Sequence, residues 1–180
     1  MRNLFDYNKG IIPFILCPLG EAMVDIDTLI KENRTNHYKL LTIVGNNKAK
    51  INSLIIYLKE RNWAAYDVEK IVLELIETIP EDKIKLRIGT ELKKWIKNTE
   101  DNVILYNANI LYSPEMDKIG PFSAFKYNMR GKKEGILFMD GKIRGDVVVY
   151  SIPGRPDYHE RELSDVLSIE LEKVDLPEVK

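Results

Sequence analysis

The chain has 180 residues, is 44% hydrophobic and carries 27 Lys and Arg against 28 Asp and Glu, enough for one well-buried core with too little left over for a second full domain. The near-neutral charge excludes a global field of the kind that makes a protein a nonspecific polyanion binder, so any nucleic-acid contact has to be local. One cysteine, Cys17, and two histidines, His37 and His159, supply neither a disulfide framework nor a Cys/His zinc site, and a reducing, cytoplasmic compartment is expected.

Residues 11–19 (Ile-Ile-Pro-Phe-Ile-Leu-Cys-Pro-Leu) are apolar but too short to span a bilayer, and Glu21, Asp25 and Asp27 follow at once. The run reads as a buried strand, with neither a membrane span nor a signal peptide expected. Residues 38–44 (Tyr-Lys-Leu-Leu-Thr-Ile-Val) form a strand that stops at Gly45, and 49–61 place Ile51, Leu54, Ile55 and Leu58 at helical spacing. Residues 63–66 are the next strand candidate. Asp67 is placed to cap a helix whose Val68, Ile71, Val72, Leu75, Ile76 and Ile79 share one face, and Pro80 ends it.

Residues 84–88 alternate like a strand, so their assignment stays open, and Thr90 is the expected N-cap of a helix with Leu92, Trp95 and Ile96 inward and Lys93, Lys94 and Lys97 outward. Residues 103–106 (Val-Ile-Leu-Tyr) form a buried strand, after which Ser113, Pro114 and Glu115 carry the signature of a helix start. Residues 136–139 and 147–150 are strands, with Asp140 and Gly141, a pair favoured in tight hairpins, between them. A ribbon beginning at that dipeptide is one reading. Two separate sheet strands joined by a polar, Gly-rich loop is the other, favoured because 147–150 resembles a last core strand.

Strands alternating with amphipathic helices imply an α/β fold of three layers, a mostly parallel sheet with helices on both faces and ligands at the strand C-terminal ends. Residues 1–37 are expected to be an N-terminal extension packed on the core, 38–172 the α/β domain, and 173–180 a loose tail.

The Gly45 turn is the place to look for a phosphate site. A working phosphate loop, G-x-x-x-x-G-K-[ST], wraps phosphates in backbone N–H groups, reaches them with lysine and binds magnesium through the hydroxyl. The run here is Gly45, Asn46, Asn47, Lys48, Ala49, Lys50, Ile51, Asn52, with Lys50 at the second glycine, Ile51 at the lysine and Asn52 at the hydroxyl position. An aliphatic side chain cannot neutralise a triphosphate, and Asn is a poor magnesium ligand. Two rescues are open: Lys48 or Lys50 swings onto the phosphates, or the helix N-terminus alone holds an anion. The alternative is a plain polar turn. The strand-end acid of such a site is missing as well, because Tyr106 or Asn107 stands in its place, with Asn109 beyond. Loss of both the cation and the acid points to a P-loop-type fold with retired catalysis, in which ATP held without hydrolysis is the one cofactor to expect.

The order of these pieces resembles BrxF, the small P-loop protein of the BREX phage-exclusion systems. The resemblance rests on residues 38–45, on the strand 103–105 with Asn107, Leu111 and Tyr112 behind it, and most specifically on the strand 147–150 running into Ser151, Ile152, Pro153, Gly154, Arg155, Pro156, Asp157 and Tyr158. It implies an intracellular component of a phage-defence complex that works with a large ATPase, a methyltransferase and a phosphatase-like protein. Members usually carry an intact phosphate loop, so hydrolysis does not carry over, and an assembly or regulatory role is the expectation.

Two other readings stay open. A divergent NTPase would use Lys48 or Lys50. A DNA-contacting module would use the basic region of Lys126, Arg130, Lys132, Lys133, Lys142 and Arg144, in which Tyr127 is interleaved. Arg155 is a candidate anion contact if its strand ends at the ligand edge of the sheet. His159 beside Asp157 lacks a nucleophile arranged with it and reads as a surface residue.

Overall fold

The structure is a computed structural model that describes residues 22–113, 116, 121–156, 158–163 and 165–176. The expected strand at 11–19, Cys17, Pro114, Glu115 and Asp157 lie outside them. In chain order the elements are β1 (Val24–Asp25), α1 (Ile26–Asn33), β2 (Leu40–Val44), α2 (Lys48–Lys59), β3 (Ala64–Asp67), α3 (Val68–Glu77), α4 (Ile84–Lys97) and β4 (Asn102–Tyr106). There follow a 3-10 helix (Ala108–Tyr112), α5 (Pro121–Lys126), β5 (Glu134–Met139), β6 (Lys142–Arg144), β7 (Val147–Tyr150), β8 (His159–Glu162), β9 (Leu167–Glu170), a second 3-10 helix (Leu171–Lys173) and β10 (Val174–Asp175).

Five strands form a parallel sheet in the order β3-β4-β5-β2-β9. Alternation in β2 shows how the sheet is covered on both faces. Leu40 and Val44 join Leu105, Leu137 and Met139 in a cluster with α3, α4, α5 and the 3-10 helix at 108–112. Leu41 and Ile43 join Ile104, Ile136 and Phe138 in a second cluster with α1 and α2. Because both faces are buried, the central strands read as continuous apolar runs. The chain is therefore α/β, with a mostly parallel sheet between helical layers.

The helices start where side chains satisfy their first N–H groups. Asn47 accepts from the Lys50 amide at 3.1 Å, Asp67 from the Lys70 amide at 3.3 Å and Asp25 from the Thr28 amide at 2.9 Å. Thr90 does not cap anything, because α4 begins six residues earlier, at Ile84. The i, i+4 series Ile84, Ile88, Leu92, Ile96 runs unbroken along its core face, while Leu86, which the alternating pattern would bury, is 79% exposed.

The C-terminal third departs further from expectation. β7 is not a core strand: it pairs antiparallel with β6 and β8 in a separate three-stranded sheet. The expected loop at 140–146 contains β6, and its tight turn falls at Gly145 and Asp146, beyond Asp140 and Gly141. The last strand of the parallel sheet is β9, whose Leu41↔Leu167 to Val44↔Glu170 pairing with β2 completes one edge. The tail is also ordered at its start, since Val174 is fully buried and pairs with Val24. Val148 of the small sheet and Leu163, the residue after β8, join the cluster that includes α3 and α4, so the small sheet packs as part of that layer.

Candidate functional site

In a parallel sheet, ligands collect beyond the strand C-terminal ends where neighbouring connections leave in opposite directions. After β2 the chain passes through α2 to β3 on one side, and after β5 it passes through the small sheet to β9 on the other. The switch point lies between the ends of β2 and β5. A cleft of about 380 Å³ sits there. The first two turns of α2 contribute Lys48, Ile51 and Asn52, and α3 contributes Glu69. Tyr106 ends β4, Asn107 follows it and Asn109 lies in the 3-10 helix, while Phe138 and Asp140 come from the end of β5 and the residue after it.

The cleft is a hydrogen-bonded frame of amides and carboxylates. Asn107 donates to Asp67 at 2.9 Å, and Asn109 donates to Asp140 at 2.6 Å. Asn107 holds φ +54, a left-handed conformation that asparagine tolerates better than most residues, and so turns the chain from β4 into the 3-10 helix. Burial and the nearby Asp67 raise the Tyr106 phenol above its ordinary range. Among the described residues no group of three or more His, Cys, Asp or Glu is placed to hold a metal ion.

Asp140 is the residue that sequence reasoning missed. The strand next to β2 is β5, with β4 one place further away, so the missing acid at Tyr106 and Asn107 leaves the nearer strand end unaccounted for, and that end carries a carboxylate. The signal is present in the sequence, since an acid follows a buried apolar run, but an Asp-Gly pair in a polar, Gly-rich segment reads equally as a hairpin turn or a loop. Glu69, in the first turn of α3, carried no comparable signal.

The Gly45 turn is built differently from a phosphate loop. Only Gly45, Asn46 and Asn47 separate β2 from α2, whereas the full motif needs about five residues before the helix. The Gly45 amide donates to the Met139 carbonyl at 2.9 Å. A Cβ on Gly45 would stand 2.6 Å from that of Leu171, so the glycine is required by packing against the turn after β9. Lys50 is committed to the same turn, donating to the Glu172 carbonyl at 3.1 Å, and does not line the cleft. Lys48 does line it and has no hydrogen-bond or ion-pair partner among the described residues. Gly45→Ala is expected to lower stability by about 1–3 kcal/mol through overpacking, read as a lower urea midpoint.

The basic region is not one surface. β5 lies between Lys133 and Lys142, which places Arg130, Lys132 and Lys133 at the N-terminal edge of the sheet and Lys142 and Arg144 beyond its C-terminal edge. The span is about 17 Å, from a rise of about 3.3 Å per residue. Lys126 is buried, pairs with Asp165 at 3.2 Å and lies 4.9 Å from the Tyr38 ring centroid. Arg130 donates to the Tyr127 carbonyl and also lies over Tyr38. Lys133 donates to the Thr99 and Glu100 carbonyls at the end of α4, where desolvation lowers its pKa.

Arg155 is exposed but follows β7, outside the parallel sheet, and lines neither this cleft nor its neighbour. His159 is half-buried, stacked on Tyr112 and bonded through Nε2 to the Tyr112 carbonyl, so its ring is structural. The chain matches no protein-family model, no curated protein and no solved structure.

Proposed function

We propose that the chain is a noncatalytic, P-loop-like component of a BREX-type phage-defence complex, acting in assembly or regulation beside larger catalytic partners. The observation that carries this reading is the turn between β2 and α2. It occupies the phosphate-loop position at the switch point of a parallel sheet, yet it is three residues long and braced by Leu171 and Glu172. A single cation, Lys48, faces Glu69 and Asp140 across the cleft, a charge balance that opposes a triphosphate unless magnesium is brought with it. The order of the strands and the segment from β7 to Tyr158 supply the family resemblance.

A divergent NTPase is the second reading, favoured by one observation: Lys48 lines the cleft without another partner, and Asp140 supplies a carboxylate. Lys50 drops out of that reading because Glu172 holds it. The two separate on incubating the purified chain with ATP and magnesium and measuring phosphate release. No release above the buffer rate is expected. Turnover that disappears in both Lys48→Ala and Asp140→Asn would establish the NTPase instead. The defence role is tested by co-purification from cells that express the neighbouring operon proteins and by phage plating with the chain deleted: loss of protection with an intact partner complex would point to regulation, and loss of the complex to assembly.

A further inference from the structure

Beside the cleft lies a second cavity of about 340 Å³, lined by Asn46, Gly141, Lys142, Arg144 and Ile152 among others. Asp140 lines both cavities, so they adjoin at the C-terminal end of β5 as two halves of a groove. The two halves differ in charge. The first holds Lys48 against Glu69 and Asp140; the second is lined by Lys142, Arg144 and Asp140, with Glu160 and Glu162 on the same face of the small sheet two strands away. Any anionic group on a ligand is therefore directed away from the Gly45 helix start and towards β6.

The second half is built for a phosphate. Lys142 and Arg144 are alternate residues of β6, so their side chains leave the same face, about 7 Å apart along the strand, while Ile143 packs into the core. Both are exposed, and neither has a hydrogen-bond or ion-pair partner among the described residues. An arginine fork beside a lysine suits a phosphate group at short range. Gly141, at φ +138, sits where a Cβ would lie 2.7 Å from the Val149 carbonyl, so the β5–β6 corner packs closely against β7.

The first half adds amide groups that can read the edge of a base. Asn107 and Asn109 each spend an amide N–H on a carboxylate, which leaves their carbonyl oxygens as acceptors, and Asn52 adds a further amide. Amides and carboxylates are the side chains that pair with base edges. Ile51, Ile110 and Phe138 supply apolar wall, and both cavities fall within the range of about 300–1,000 Å³ usual for small-molecule sites.

We infer that this groove binds a nucleoside monophosphate, with its base and sugar in the Asn52, Asn107 and Asn109 cleft and its phosphate on Lys142 and Arg144. The inference rests on the noncatalytic reading of the same cleft and reverses the direction in which a P-loop would hold the nucleotide.

The test is isothermal titration of the full chain with AMP, GMP, CMP and UMP, with the corresponding nucleosides, with inorganic phosphate, and with ATP and magnesium. At least one monophosphate is expected to bind, more weakly as salt rises. The double variant Lys142→Ala with Arg144→Ala should weaken it about tenfold or more, as for the loss of two charge-assisted contacts, and leave the nucleoside affinity unchanged. The charge-preserving pair Lys142→Arg with Arg144→Lys should retain binding. Absence of monophosphate binding would overturn the site, as would binding insensitive to the double variant, or phosphate alone binding as tightly as the nucleotide. Phosphate release from ATP would sink the noncatalytic reading while a monophosphate site still stood; no release together with no monophosphate binding would sink this site alone.

Discussion

Tyr112→Ala is expected to lower stability by about 3–5 kcal/mol, the range for removing a large buried ring, and to loosen the three-stranded sheet from the parallel one. Tyr112 ends the 3-10 helix after β4 and is 2% exposed. Its ring lies parallel to Tyr150 at 4.5 Å and stacks on His159 at 5.3 Å. Those two residues are directly opposed on β7 and β8, so one tyrosine clamps both strands from below. Its carbonyl accepts from His159 as well. Urea denaturation measures the loss, and near-ultraviolet circular dichroism reports the broken stack. The hydroxyl contributes none of this: it is buried without a partner among the described residues, and burial pushes its pKa upward. Tyr112→Phe should therefore be neutral, or more stable by up to about 1 kcal/mol. A Tyr112→Phe loss as large as that of Tyr112→Ala would show that the hydroxyl, and not the stack, holds the sheet.

Leu171→Ala is expected to destabilise by about 2–5 kcal/mol through the cavity it leaves. Leu171 is fully buried with Ile43, Leu54 and Phe138, and its Cβ and Cδ2 fill the space beside Gly45. The side chain fastens β9 and the following turn onto the start of α2. Removing it acts on the same region as Gly45→Ala with the opposite volume change, one leaving a void and the other crowding the contact. Both should lower the urea midpoint, and Leu171→Ala the more. If Gly45→Ala were neutral in stability but abolished ligand binding, the glycine would be serving an anion and not this packing.

Much of the fold was legible because its signals are local. The runs around β2, β4 and β5 are apolar on both faces, and α3 carries its cap and its stripe within a dozen residues. Residues 84–88 were ambiguous for the same reason, since five positions fit period 2 and period 3.6 alike until Leu92 and Ile96 extend the series. β9 gave little signal: Leu-Ser-Ile-Glu is short, half-buried and mixed in polarity, as an edge strand can be. β6 has one apolar residue between two charges.

The site is legible after β2 and at Asn107 beyond β4, and hidden at Asp140 and Glu69, because strand order is not a local property. Lys48 and Asn52 follow from the motif position, and Asn107 from the end of β4. Asp140 enters the cleft only because β5, not β4, lies beside β2. The same nonlocality divided the basic run: residues close in sequence at Lys133 and Lys142 are separated by the length of a core strand.

The pairing of β2 with β9 also fixes a timetable. As the nascent chain leaves the ribosome, β2 and β5 are complete long before Leu167–Glu170 is made, and the whole small sheet is synthesised in between. Until then β2 is an open border with unpaired N–H and C=O groups, available to another chain. β9 and Leu171 thus act as a latch that closes only after β2, β5 and the small sheet have been made, and until it closes the β2 edge can pair with another copy.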